Sequence, residues 1–170
     1  PDMVHVQVPV NAGVFARYLK KRKGIPYVLT EHWGNYKKVA KPNIDDEPGY
    51  LVWLRKMVIK HASRFMPVTD DLGNYIDQHF INVKYTVVPN VVDTGLFFYK
   101  PYTAPVFRFI HPSYMNYPKN PEGILQACKM AKEKGLKFEL LMLGNKDKAL
   151  QDMARQLGVL NECVFFEGPV

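Results

Sequence analysis

Five apolar runs in this 170-residue sequence end in side chains that can meet an anion or move a proton: Thr30-Glu31-His32, Thr69-Asp70, Asn90, His111-Pro112-Ser113 and Gly144-Asn145. In VLTEHWGNY, His32 directly follows one such run, and an imidazole there can donate a hydrogen bond or act as acid or base near neutral pH. A structural histidine would leave the same trace. In YPKNPEGIL, Lys119 and Asn120 stand where Pro121 opens a helix. Unpaired N–H groups and the positive end of the helix dipole favour an anion at such a point. An adjacent ammonium would add a point charge suited to phosphate. The other reading is a solvated lysine beside an ordinary N-cap. Walker, G-x-G-x-x-G, H-E-x-x-H and G-x-S-x-G patterns are absent from the sequence, as are clustered metal ligands.

The runs that carry these ends are predicted strands: Val4–Val8, Tyr27–Thr30, Phe65–Val68, Tyr85–Val88, Phe107–Ile110, Phe138–Leu143 and Val164–Phe166. They are apolar almost throughout and do not alternate, as expected of parallel strands covered on both faces. Helical patterns lie between them. Asn11 to Lys23 is closed by Gly24, with Phe15, Tyr18 and Leu19 as its apolar stripe. A second helix, entered through Glu47-Pro48, carries Tyr50, Leu54, Met57, Val58 and His61. A third starts at Thr69 or Asp70, a fourth at Asn120-Pro121, and a fifth ends at Gly158. Lys37–Pro48 reads as a loop and Thr94–Pro105 as a connector. The alternation defines an α/β fold with a mainly parallel sheet and helices on both faces. In such sheets ligands bind beyond the carboxyl ends of the strands, where all five candidate ends fall.

Apolar residues make up 47% and charged residues 23% of the chain, the balance of a globular protein. The excess of 23 Lys and Arg over 16 Asp and Glu favours anionic partners: phosphorylated small molecules, nucleic acid or an acidic membrane surface. No nucleic-acid-binding motif accompanies it, so no nucleic acid is expected. No run has the length of a membrane span and no secretory segment opens the chain, so a cytoplasmic location, peripheral at most to the inner face of a membrane, is the expectation. Cys128 and Cys163 suit buried thiols in a reducing compartment better than a disulfide.

The order of these signals resembles the retaining glycosyltransferases of family 4, which have the GT-B fold of two Rossmann-like domains. PDMVHVQ is similar to their P-D-hydrophobic-hydrophobic-H strand and GIPYVLTEHWG to their G-I-P-hydrophobic-T-x-H-G segment. ASRFMPVTDDLGNYI is similar to a strand followed by a Ser-bearing helix start, and VVPNVVDTGLF to I-P-N-G-V-D-x-x-x-F. The segments from Phe107 and Phe138 onward resemble the first two βα units of the second domain. The resemblance implies an internal fragment. Residues 1–98 would be the C-terminal half of the first domain and residues 99–170 the N-terminal half of the second, nucleotide-sugar-binding domain. The family's Gly-rich loop is expected before residue 1, and its sugar-binding carboxylate pair after residue 170. The two halves could also merge into one continuous sheet, by pairing Val4–Val8 with Phe107–Ile110 within a chain or across a homodimer.

By that resemblance, His32 would contact the transferred sugar beside the leaving phosphate, and Lys119 would neutralise the diphosphate. Ser113 stands where the family often has Arg, so one diphosphate contact is missing or supplied elsewhere. Gly144 would lie near the nucleotide. Asn90, Thr69 and Glu31 complete the expected substrate-binding residues, with Asn120 beside Lys119. Asn90 would line the interdomain cleft, Val91 and Val92 would anchor the chain's exit, and Asp93 would fix the turn. Val91 replaces a family glycine, which puts left-handed backbone there in question. The implied reaction moves a sugar from a nucleotide-diphosphate donor to a polysaccharide or glycolipid acceptor with retention, needs no metal or other cofactor, and belongs to the parent enzyme; the fragment alone would be inactive. The rivals are a sugar-nucleotide epimerase of the same fold and a non-catalytic nucleotide- or anion-binding module.

Overall fold

Apolar strands separated by helices pair in chain order, because each crossover returns the next strand beside the last. The computed structural model describes residues 1–170 except Tyr102, Ala104, Lys146, Pro169 and Val170, so two residues of the expected Thr94–Pro105 connector lie outside it. The chain divides into two units, Pro1–Phe98 and Tyr99–Val170.

The first unit contains β1 (Val4–Gln7), α1 (Ala12–Lys23), β2 (Tyr27–Glu31), α2 (Gly49–His61), β3 (Arg64–Pro67) and α3 (Asp70–His79). Its strands form a parallel sheet in the order β1-β2-β3. Val6, Tyr27, Leu29 and Phe65 from the sheet pack against Ala16, Val58, Ile59 and Ile76 from the helices. The second unit repeats the plan with β4 (Phe107–Pro112), α4 (Pro121–Glu133), β5 (Phe138–Leu143), α5 (Lys148–Gln156) and β6 (Val164–Glu167). Its parallel order is β4-β5-β6, over a core that includes Leu125, Leu140, Met142, Leu150 and Val164. Both cysteines are buried free thiols. No helix among the described residues is long and apolar enough to cross a membrane.

The architecture is the expected Rossmann-like α/β, with four corrections. The six named strands make two sheets, not one continuous sheet. Each unit closes three successive strands over its own core, and Phe107, Phe109 and Ile110 of β4 stay more than half exposed. An apolar groove of about 610 Å³ runs along them to Ile124, Cys128 and Phe138.

The strand expected at Tyr85–Val88 is reduced to one bridge, between Phe65 and Tyr85. Thr86 and Val88 donate N–H bonds to the carbonyls of Phe65 and Pro67, at 3.0 and 3.1 Å. Pro67 has no N–H to return, so the ladder stops.

The helix stripes also differ. Gly13 and Ala16 form the buried face of α1, while Phe15 and Tyr18 are 62% and 54% exposed. A Cβ on Gly13 would lie 2.6 Å from the Val58 side chain, so the approach of α2 demands small residues there. Arg55, Val58 and Ile59 are the buried residues of α2, while Tyr50 and His61 are exposed. Asn11 precedes α1 but makes no side-chain capping bond.

Finally, Val91 and Val92 anchor nothing, being 90% and 67% exposed. Asp93 does hold its turn, its Oδ1 accepting the N–H groups of Gly95 at 2.8 Å and Leu96 at 3.3 Å. Val91 is not left-handed.

Candidate active-site elements

The carboxyl end of β2 carries Thr30, Glu31 and His32 in succession, and parallel pairing sets Gln7 of β1 beside Thr30. Alternation along β1 puts His5 and Gln7 on the same face of the sheet. The four polar side chains of this corner form one chain of contacts. His32 Nε2 lies 2.6 Å from Gln7 Oε1, Gln7 Nε2 lies 3.2 Å from His5 Nε2, and His5 Nε2 lies 2.7 Å from Thr30 Oγ1. The Gln7 amide oxygen only accepts, so His32 donates from Nε2 and its Nδ1 remains for other contacts. His5 Nε2 has one proton or one lone pair to offer, and the shorter of its two contacts, to the Thr30 hydroxyl, is its main hydrogen bond.

Glu31 lies on the opposite face of the strand and is fully buried. Its Oε1 accepts the backbone N–H groups of His32 and Trp33, both at 3.0 Å, and the Tyr36 hydroxyl donates to Oε2 at 2.7 Å. Burial raises the Glu31 pKa, against the pull of the Tyr36 hydroxyl, the two N–H groups and the nearby Arg55 charge. Burial also raises Tyr36 well above its usual range, reinforced by the Glu31 charge. Arg55 stacks over the Trp33 ring at 4.9 Å and donates to both Glu47 oxygens, at 2.8 and 2.7 Å. Burial lowers the Arg55 pKa, but the Glu47 hydrogen bonds and the surrounding acidic groups outweigh it and the net shift is upward. The His32 backbone is therefore fixed from beneath by a buried carboxylate, while its ring is aimed from the side by Gln7. Glu31 spends its oxygens on this clamp.

Thr69 caps α3, accepting the Leu72 N–H at 3.2 Å. Asn90 lies outside any helix or strand and is exposed.

In the second unit, Ser113 and Gly144 end neighbouring strands: the Ser113 N–H donates to the Leu143 carbonyl at 2.9 Å. The Ser113 hydroxyl lies 2.9 Å from His111 Nε2 and accepts the Met115 N–H at 3.0 Å. Gly144 has φ 146°, and a Cβ there would drive into the Ser113 carbonyl oxygen. Lys119 ends a single 3₁₀ turn, Tyr117–Lys119, and is exposed. Asn120 follows in left-handed conformation, φ 45° and ψ 53°, and its side chain accepts the Gly123 N–H at 3.3 Å to cap α4. This turn places Lys119 two residues before the first residue of α4, with Glu122 as the one acid of the first turn.

Thus Glu31 with His32, Ser113 with Gly144, and Lys119 with Asn120 are brought together as pairs. His5, Gln7, Tyr36 and Arg55 were not among the candidate site residues, although His5 is the histidine of the PDMVHVQ segment. Two polar side chains at alternate positions of VHVQ were the readable signal for His5 and Gln7. For Tyr36 and Arg55 there was none, since their partners lie across a loop and a helix.

Over its whole length the fold is shared with solved structures. Sucrose-phosphate synthase from Thermosynechococcus elongatus superposes with a TM-score of 0.81 at 13% identity, covering 99% of this chain and 45% of that one. A glycosyltransferase from Rickettsia africae gives 0.65 at 14% identity, covering 99% and 47%. MnaA of S. aureus, solved with UDP, gives 0.57 at 16% identity, covering 100% and 47%. The chain thus spans less than half the length of these proteins. Among curated proteins none matches it in sequence. The family model Glycosyltransferase Family 4 matches residues 1–96, which contain β1, β2 and the His32 turn. A sequence match over more than half the chain, in a fold common to GT-B proteins, means that this chain belongs to Glycosyltransferase Family 4.

Proposed function

We propose that the whole enzyme transfers a sugar, with retention, from a nucleotide-diphosphate sugar to a glycan or lipid-linked acceptor. The observation that carries this reading is the His32 turn, in which a buried carboxylate and a neighbouring amide hold one imidazole rigid at a strand end. Rigid placement of a group beside a reacting centre supplies much of an enzyme's rate. His32 would meet the transferred sugar. Thr69 and Asn90 would add polar contacts, and Glu31 would serve by holding the turn.

In the second unit, Lys119 would stabilise charge on the departing diphosphate, with the Ser113–Gly144 corner and the capped start of α4 giving backbone close access to the nucleotide. MnaA and a TarM variant were each solved with UDP, so UDP is the donor fragment to test first. Cationic and dipolar stabilisation leaves no step that needs a metal, so turnover should survive a chelator.

The test compares two variants of the full-length enzyme by titration calorimetry with UDP and by turnover of a radiolabelled nucleotide sugar. Lys119→Ala should weaken nucleotide binding by about 1.5–3 kcal/mol, the range for a hydrogen bond to a charged group. His32→Ala should lower turnover at least about tenfold with little change in melting temperature, within the usual range for a positioned acid–base or hydrogen-bonding group. Unchanged affinity in the first variant and unchanged turnover per folded molecule in the second would overturn the assignment.

A further inference from the structure

The charge of this chain is concentrated in two helices. Together α1 and α2 hold 25 residues with eight Lys or Arg and no Asp or Glu. That is +8, against +7 for the whole chain, so the other 145 residues sum to −1. Arg55 is spent on Glu47 and Lys20 on the His61 carbonyl and Ser63 hydroxyl. Lys21, Arg22, Lys23, Lys56 and Lys60 are exposed.

Large aromatic side chains stand among these charges. Phe15 and Tyr18 on α1 stack at 6.4 Å, with Arg22 over the Tyr18 ring at 6.0 Å. Tyr50 and Trp53 on α2 are 65% and 62% exposed. Gly13 against Val58 sets the two helices side by side, so both outward faces belong to one layer. A groove of about 520 Å³ between them is lined by Arg17, Trp53, Lys56, Met57, Lys60 and His61, with Ile81 at its edge and no acid. Within it Arg17 Nε is buried and has no hydrogen-bond partner.

A solvated basic face has no use for four exposed rings. Interfacial aromatics interleaved with cations are what an anionic bilayer surface accepts: rings enter the headgroup layer while Lys and Arg stems lie along it and their charges reach phosphate. We propose that the α1–α2 face docks the enzyme onto anionic phospholipid. Each basic residue at such a surface contributes about 1 kcal/mol, roughly fivefold in partitioning, and salt screens the attraction. The inference does not rest on the transfer chemistry.

The test is co-sedimentation of the chain with phosphatidylcholine vesicles, with and without phosphatidylglycerol. Binding should require the anionic lipid, weaken with added salt, and shift Trp53 fluorescence to the blue in a Trp33→Phe background. Lys56→Gln with Lys60→Gln should reduce partitioning about 25-fold, two such steps. Trp53→Ser should reduce it as well, and Lys148→Gln on α5 should leave it unchanged. Four outcomes would overturn the proposal: equal binding to both vesicles, no binding, inorganic phosphate competing as well as vesicles do, or a blue shift that follows protein concentration without lipid, which marks self-association. Vesicle binding with no affinity for UDP would count against UDP as the donor fragment and leave this proposal standing.

Discussion

The His32 Nε2 proton is donated to Gln7, and that bond is the most direct test of the role proposed for His32. Gln7→Leu in the full enzyme should lower turnover, because the ring loses the partner that aims it, whereas Gln7→Glu keeps an acceptor oxygen in place and should retain more of it. Turnover equal to the parent's in both variants would reduce Gln7 to packing.

Glu31 supplies a second residue-scale prediction. Its folded-state pKa is raised, so its favourable contribution to stability is complete below the usual glutamate range and is lost as pH rises through the folded value. Glu31→Gln removes that dependence. The melting temperature of the variant relative to the parent should climb as pH rises across this window, and a flat difference would mean that burial does not dominate the carboxyl. Residue type and position picked out Glu31 and His32 in the sequence. The inward direction of the carboxylate was not legible there, because it depends on Tyr36 and Trp33 folding back over the strand end.

Among the elements, the strands were the most readable, since parallel strands covered on both faces must be apolar. Phe138–Leu143 stands where expected, and the other named strands differ only at their ends. The helices were harder. In α1 the buried face is Gly13 and Ala16, and a close helix–helix approach selects small residues that a search for large apolar side chains passes over. The missing strand at Tyr85 turned on one absent donor, that of Pro67.

Gly144 shows how an element end can be fixed by backbone alone. Gly144→Ala would place a methyl group against the Ser113 carbonyl at φ 146°, where neither partner is a side chain that can swing aside. The cost should be about 3 kcal/mol, from strained backbone and overpacking together. Urea unfolding of the second unit would measure it, and a loss below about 1 kcal/mol, the ordinary effect of a point substitution, would show that the junction can relax.

At the scale of the molecule, motif order in the sequence carried the family assignment, whereas the separation into two sheets needed coordinates. Apolar strand edges such as Val4–Gln7 and Phe107–Pro112 do not announce which neighbour they take. Each unit has its own core, and the probes fall unevenly between them: both tryptophans, Trp33 and Trp53, lie in the first unit, and both cysteines in the second. Cys128 and Cys163 are buried, and burial pushes the Cys128 thiol up to about 11 and Cys163 upward as well. Neither thiol should react with an alkylating agent near neutral pH until its unit opens, because the thiolate is the nucleophile. Tryptophan fluorescence then reports the first unit and thiol labelling the second. In urea the two probes should give different midpoints, since coincidence is the mark of a single cooperative transition. Gly144→Ala should lower the labelling midpoint and leave the fluorescence midpoint in place. If both midpoints moved together, the chain would unfold as one body and the two cores would share their stability.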